Sequence, residues 1–223
     1  MKPGRLAFKL ASMPRWGLVV VLAVVAGGCT RVIDNAQAKP EPAVAPITAL
    51  QVGDLFSPHI QGGEGNLFVS VDPDRCSGVA REVNPPFITS HGPIATDGGH
   101  WETESANAYI EELVAVYRSD FDSGDALATA RQTIESCRDT PVTVTAMQGR
   151  TSTFRLRPPM GSGPQNSVLW SLQAIAWRCD NAFVAAHNAA IELTTCGPLG
   201  GFDVASAAQD ALKRIETLAD TSV

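Results

Sequence analysis

Apolar residues fall into three regimes along the 223-residue chain. Trp16 to Ala26 is an unbroken apolar or glycine run of eleven residues, Thr30 to Pro46 has no period, and from Ile47 onward short apolar stretches recur at defined spacings. In that last regime the spacing predicts the elements. ITALQVGDLF at 47–56 carries a short helix or turn signal that Pro58 ends, GGEG at 62–65 is a loop, and NLFVSV at 66–71 is a strand. PDRCSGVAREV from Pro73 predicts a helical turn around Cys76. Pro85, Pro86, Pro93 and the pair Gly98–Gly99 break the next stretch into loop. ANAYIEELVAVYR at 106–118 fits two elements, because its glutamates and alanines favour helix and LVAVY favours strand.

SGDALATARQTIESCR at 123–138 has Ala126, Ala130, Ile134 and Cys137 at helical spacing, with Ser123 or Asp125 as cap and Pro141 as stop. The texture then changes. VTVTAM at 142–147 and TSTFRLR at 151–157 alternate and are rich in β-branched residues, so they predict strands, as does SVLWSLQAIAWRC at 167–179. NAFVAA and AAIELTTC flank His187–Asn188 as a hairpin. DVASAAQDALKRIETLA at 203–219 is an amphipathic closing helix capped by Asp203. Several strands with a helix before and after them predict an α+β domain.

The first apolar run has a different meaning. Lys2, Arg5, Lys9 and Arg15 precede it, and Ala26, Gly27 and Gly28 lead from it into Cys29. That is the layout of a secretory signal segment over residues 1–28, and it is shorter than the about 20 apolar residues a spanning helix needs. Cys29 directly after the small residues resembles the lipobox of bacterial lipoproteins, although Ala26 stands where leucine is usual. That resemblance implies diacylglycerol on the Cys29 sulfur, cleavage before it, and anchoring to the outer face of the cell membrane. Two acyl chains hold stably, since each buried CH₂ contributes about 0.8 kcal/mol. Residues 29–46, including KPEPAVAP, form an Ala/Pro-rich tether, and 47–223 suit one domain.

Charge and cysteines narrow the classes. Without residues 1–28 the chain has 13 basic and 23 acidic side chains, a net of −10, and no basic block. Nucleic acid is therefore excluded as a partner. Cys76, Cys137, Cys179 and Cys196 remain, an even number in an exported chain, so two disulfides are expected, with three pairings open. No C-x₂₋₄-C pair supports zinc.

Candidate chemistry is sparse. GSG at 161–163 is followed by Pro164 and not by a helix, unlike a nucleophile elbow. DFDSGD at 120–125 has its glycine at the fifth position and Arg131 at the twelfth, so it reads as a cap turn and not as a calcium loop. His59, His91, His100 and His187 are scattered loop or turn residues. Glu102 with Glu104, and Glu111 with Glu112, read as a solvated edge. Trp101, Trp170 and Trp177 are core or pocket residues, and Arg155 and Arg157 share a strand face that could meet an anion. No catalytic residue, metal site or cofactor is expected.

The order of CSGV at 76–79, IESCR at 134–138, strands with tryptophan, CDNAFVAAHNAAIELTTCG at 179–197 and an amphipathic last helix resembles the extracellular sensor domain of mycobacterial PknH-type serine/threonine kinases. Related lipoproteins carry that domain without a kinase. The resemblance implies an antiparallel sheet with packed helices, a strand over 109–117, a ligand cleft, and the pairs Cys76–Cys137 and Cys179–Cys196. The second pair also ties the ends of the expected hairpin. The function expected is binding of an unidentified small ligand or envelope protein without catalysis. An envelope hydrolase and a purely structural interaction module are the rivals.

Overall fold

The computed structural model describes residues 45–65, 68–103, 107–159, 161–198 and 202–221. Cys29, the signal segment, the tether up to residue 44, Asn66, Leu67 and Glu104 lie outside them. The described strands are β1 (Gly62–Gly63), β2 (Ser70–Asp72), β3 (Ala95–Thr103), β4 (Ala108–Val116), β5 (Pro141–Thr145), β6 (Thr151–Arg157), β7 (Ser167–Gln173), β8 (Arg178–Ala186) and β9 (Ala189–Gly197). They form one antiparallel sheet in the order β1-β3-β4-β9-β8-β7-β6-β5-β2. The helices are α1 (Pro86–Thr89), α2 (Ser123–Ser136) and α3 (Val204–Thr221), with a 3₁₀ turn at Ala49–Leu55.

The two faces of the sheet carry separate cores. On one, Leu113, Phe183, Trp170, Leu172 and Phe154 pack against Ala126, Leu127 and Ala130 of α2 and against Val79 and Phe87. On the other, Ile110, Val114, Val184, Ile191 and Leu193 meet the α3 stripe Val204, Ala208, Ala211, Leu212 and Ile215. Strands β4, β8 and β9 lie under both layers and are buried almost throughout, as strands covered on both faces must be. That explains the ambiguity at 106–118: a strand buried on both sides has no period-2 alternation, and the structure makes it β4. β5 and β6 alternate because α3 packs on β8 and β9 and leaves their second face open.

Three expectations are corrected. Gly62–Gly63 is an edge strand and Gly98–Gly99 lies inside β3, both expected as loop. A Cβ at Gly99 would come within 2.9 Å of the Gly62 carbonyl, so glycine is what lets the two strands close. The cap of α2 is Asp122, whose carboxylate accepts from the Asp125 N–H at 2.9 Å. The chain turns between β8 and β9 at His187, which takes a positive φ of 50°. Asn188 then clamps the start of the domain: its side chain accepts from Ile47 N–H at 2.9 Å and donates to the carbonyls of Ile47 and Tyr117, each at 2.8 Å.

Cys76 and Cys137 are joined with Cα atoms 5.7 Å apart, which fastens the 73–85 segment to the end of α2. Cys179 and Cys196 face each other across β8 and β9 and are joined at a Cα separation of 4.1 Å. No helix among the described residues is long and apolar enough to cross a membrane.

Candidate functional site

The ladder between β6 and β7 stops early. Arg157 pairs with Ser171, and the next residues of the first strand are Pro158 and Pro159. Proline has no N–H to give, so the two strands part there. Ile134 in α2, with Arg138 and Asp139 just beyond it, closes the back of the split. A cavity of about 320 Å³ results, at the small end of the ~300–1,000 Å³ usual for ligand sites.

Its apolar lining residues are Trp170, Leu156, Leu169, Ile134, Pro158 and Pro159, and polar atoms make up nearly half of its surface. The Trp170 ring is fixed by its Nε1–H, which donates to the Val79 carbonyl at 2.7 Å, and by an edge contact with Phe87 at 5.7 Å. Arg138, Asp139 and Arg157 supply the charge. Strand alternation makes the cavity reach both faces, with Trp170 and Leu156 from the α2 side and Arg157 and Leu169 from the other.

On the open face, cross-strand pairing sets Arg155 opposite Gln173, and Gln173 opposite Arg178. Arg178 is held by Asp180, 2.8 Å from its Nε, and donates to the Ser171 hydroxyl at 2.7 Å. Arg155 and Arg157 are exposed and make no ion pair or hydrogen bond among the described residues.

The other sequence candidates separate. Trp101 is buried and lines a second cavity of about 360 Å³ with His59 and Phe202, whereas half-exposed Trp177 lines a third of about 260 Å³ with Tyr109 and Cys196. His59, His91 and His187 sit in turns as expected, but His100 belongs to β3, stacked 5.2 Å from Tyr109 with Nδ1 2.7 Å from the Gly63 carbonyl. Gly161 to Gly163 is loop. Among the described residues no three His, Cys, Asp or Glu side chains converge as metal ligands.

Glu111 and Glu112 are the clearest departure from expectation. They are fully buried, not a solvated edge, and as neighbours on a strand they point to opposite faces. Glu112 receives the Ser57 N–H at 2.9 Å and an ion pair from Arg214, whose Nε donates to the Leu55 carbonyl at 2.8 Å. Burial pushes its carboxyl up, against the pull of Arg214.

Glu111 lies on the α2 side beside Tyr109, whose hydroxyl donates to it at 3.0 Å. Burial pushes Glu111 up to about 6, opposed by that hydrogen bond and by Arg81 and His100. On the same face Glu192 is wholly buried, with no hydrogen bond to either carboxyl oxygen, and burial raises it to about 8 against the attraction of Arg81. Arg81 is itself 1% exposed, with Glu64 3.6 Å away at the surface.

Sequence reasoning missed Arg81, Glu192, Asn188 and Arg214. One signal was available: a glutamate inside the apolar strand AAIELTTC has to be buried and has to find a counter-charge. Neither Glu111 nor Glu192 lines the three cavities described above. Glu111 is nevertheless joined to one of them through Tyr109, which lines the cavity beside Trp177 and donates to the Glu111 carboxylate.

Residues 65–220 match the family described as PknH-like extracellular domain. Proteins of Mycobacterium tuberculosis and Mycobacterium bovis named "Putative lipoprotein LprH" are 28% identical over 205 residues, covering 84% of this chain and 86% of theirs. The crystal structure of the extracellular domain of PknH from Mycobacterium tuberculosis superposes with a TM-score of 0.60 at 18% identity, covering 78% of this chain and 98% of that one. The fold is thus that of the PknH extracellular domain, and the chain belongs to the PknH-like extracellular domain family.

Proposed function

We propose that the chain is an envelope lipoprotein, anchored through an acylated Cys29 on the outer face of the membrane, whose domain binds a small ligand without transforming it. The carrying observation is the Trp170 cavity, which combines apolar side chains with arginine at its lip and is not lined by the shifted carboxyls of Glu111 and Glu192. A hydrolase would bring such groups together around its substrate. The lipoprotein relatives and the motif before Cys29 support the anchor.

Native mass spectrometry of the chain purified from its own host tests the binding reading. A co-purifying small molecule is expected, and turnover of envelope extract by the pure protein overturns it. Labelled palmitate should enter the wild-type chain and not Cys29→Ser; equal labelling of both removes the anchor.

A protein partner is the second reading, favoured by one observation. Val69, Met147, Ile175 and Trp177 are 49%, 55%, 98% and 42% exposed at the start of β2 and on the β5–β6 and β7–β8 turns, which project at the same end of the sheet.

A further inference from the structure

Resting on the reading of the Trp170 cavity as a ligand site, we propose that its ligand is an anionic amphiphile. The alkyl chain lies against Trp170, and the phosphate or carboxylate head meets Arg157 and Arg155 on the open face of the sheet.

Charge distribution is the first argument. Residues 131–178 hold six arginines and two acidic side chains, within a mature chain whose net charge is −10. The fold concentrates this excess on one side, since 131–178 comprises the end of α2, β5 to β7 and the turn into β8. Register is the second. Arg155 and Arg157 point to the same face about 7 Å apart, and Arg178 stands two strands away, about 10 Å from Arg155. Arg178 is satisfied by Asp180 and Ser171, whereas Arg155 and Arg157 have no partner among the described residues. Two unpartnered guanidiniums on β6, with Gln173 of β7 opposite Arg155, form a cradle of headgroup size.

The third argument is continuity. Arg157 belongs both to this cradle and to the cavity lining, so a molecule with its head on the arginines has its tail led through the split between Pro158 and β7 onto Trp170 and Ile134. A ligand that was only an anion would leave that apolar wall unused, and a neutral lipid would leave the arginines unused. Within 131–178 the acidic side chains are Asp139 at the back and Glu135, which is paired with Arg138, and the nearby Asp180 is engaged by Arg178. The same chemistry can come from a lipid still in a bilayer or from a free fatty acid or alkyl phosphate.

The test uses the 43–223 unit, which contains both cores and both disulfides. Dodecyl phosphate, dodecyl maltoside and inorganic phosphate are titrated below micellar concentrations, with tryptophan fluorescence and calorimetry as readouts. Dodecyl phosphate should bind at least tenfold more tightly than either of the others. The exposed double variant Arg155→Gln/Arg157→Gln should lose at least tenfold for dodecyl phosphate and nothing for the maltoside. Ile134→Glu should weaken both alkyl probes, and Arg118→Gln should change neither. Vesicles containing phosphatidylglycerol that pull down the domain identify a bilayer lipid as the source, whereas binding of the monomer alone identifies a free amphiphile.

Maltoside binding as tightly as the phosphate, or an arginine double variant with unchanged affinity, overturns the anionic assignment while the cavity reading stands on its co-purified ligand. Absence of binding by every alkyl probe overturns the amphiphile outright.

Discussion

Glu192 sets a pH dependence that runs against the usual acid denaturation. Burial raises its carboxyl to about 8, and that of Glu111 to about 6, while in the unfolded chain both titrate near ~4.3. Between those limits the folded protein holds protons that the unfolded chain has released, so stability falls as pH rises. The favourable contribution is fully present below about pH 4.3 and is lost as pH rises through 6 for Glu111 and 8 for Glu192. Glu82 and Glu112, also raised by burial, act in the same direction. Ionising Glu192 in place costs on the order of 5 kcal/mol. The melting temperature should therefore drop between pH 5.5 and 8.5, and Glu192→Gln should flatten most of the slope. A curve that stays level or climbs over that range, or a variant with the wild-type slope, would remove the buried acid from the account.

Glu111 and Glu112 belong to β4, and β4 is also where local pattern failed. ANAYIEELVAVYR mixes helix formers with β-branched residues, and its two glutamates look solvated until α2 and α3 are known to cover opposite sides of the strand. Their counter-charges are remote: Arg81 precedes β4 in sequence, and Arg214 lies 102 residues after Glu112. A reading by local windows cannot supply such partners. The other elements were legible for two reasons, one-sided burial and a clear break between apolar runs. β6 alternates because its second face is open, α3 shows an apolar stripe because solvent covers its other side, and the His187 turn stands between two apolar runs. The Trp170 cavity was legible only as separate residues, Arg157 and Trp170, because the Pro158–Pro159 split that joins them is a matter of pairing. At the level of the strand, removing the partner of Glu112 is the decisive change. Arg214→Met leaves a buried unpaired carboxylate and should cost about 3–5 kcal/mol in urea unfolding at pH 7. Glu112→Gln in the same chain should restore a large part of that loss; a double variant as unstable as the single one would mean the pair is not what α3 depends on there.

Across the whole molecule the two disulfides do different work. In the chain-entropy picture, closing the 61-residue separation between Cys76 and Cys137 contributes about 4 kcal/mol, and the 17-residue separation between Cys179 and Cys196 about 3 kcal/mol. The larger difference lies in what each holds. Cys179 and Cys196 sit opposite each other in a ladder nine residue pairs long, which keeps β8 and β9 aligned without the bond. Cys76 has only a 3₁₀ turn around it, and its link to the end of α2 is what keeps the following residues over the sheet. Among those residues is Val79, whose carbonyl receives the Trp170 indole, and beyond it Phe87, which packs on the same ring. The floor of the cavity thus depends on a covalent bond made only where thiols oxidise. Replacing Cys76 and Cys137 by serine should lower stability and also shift Trp170 emission to the red and weaken alkyl-probe binding at least tenfold. Replacing Cys179 and Cys196 should lower stability while leaving emission and binding near wild type in the fraction that remains folded. Equal effects of the two pairs on binding, measured well below either melting temperature, would show that the Cys76–Cys137 bond has no special hold on the site.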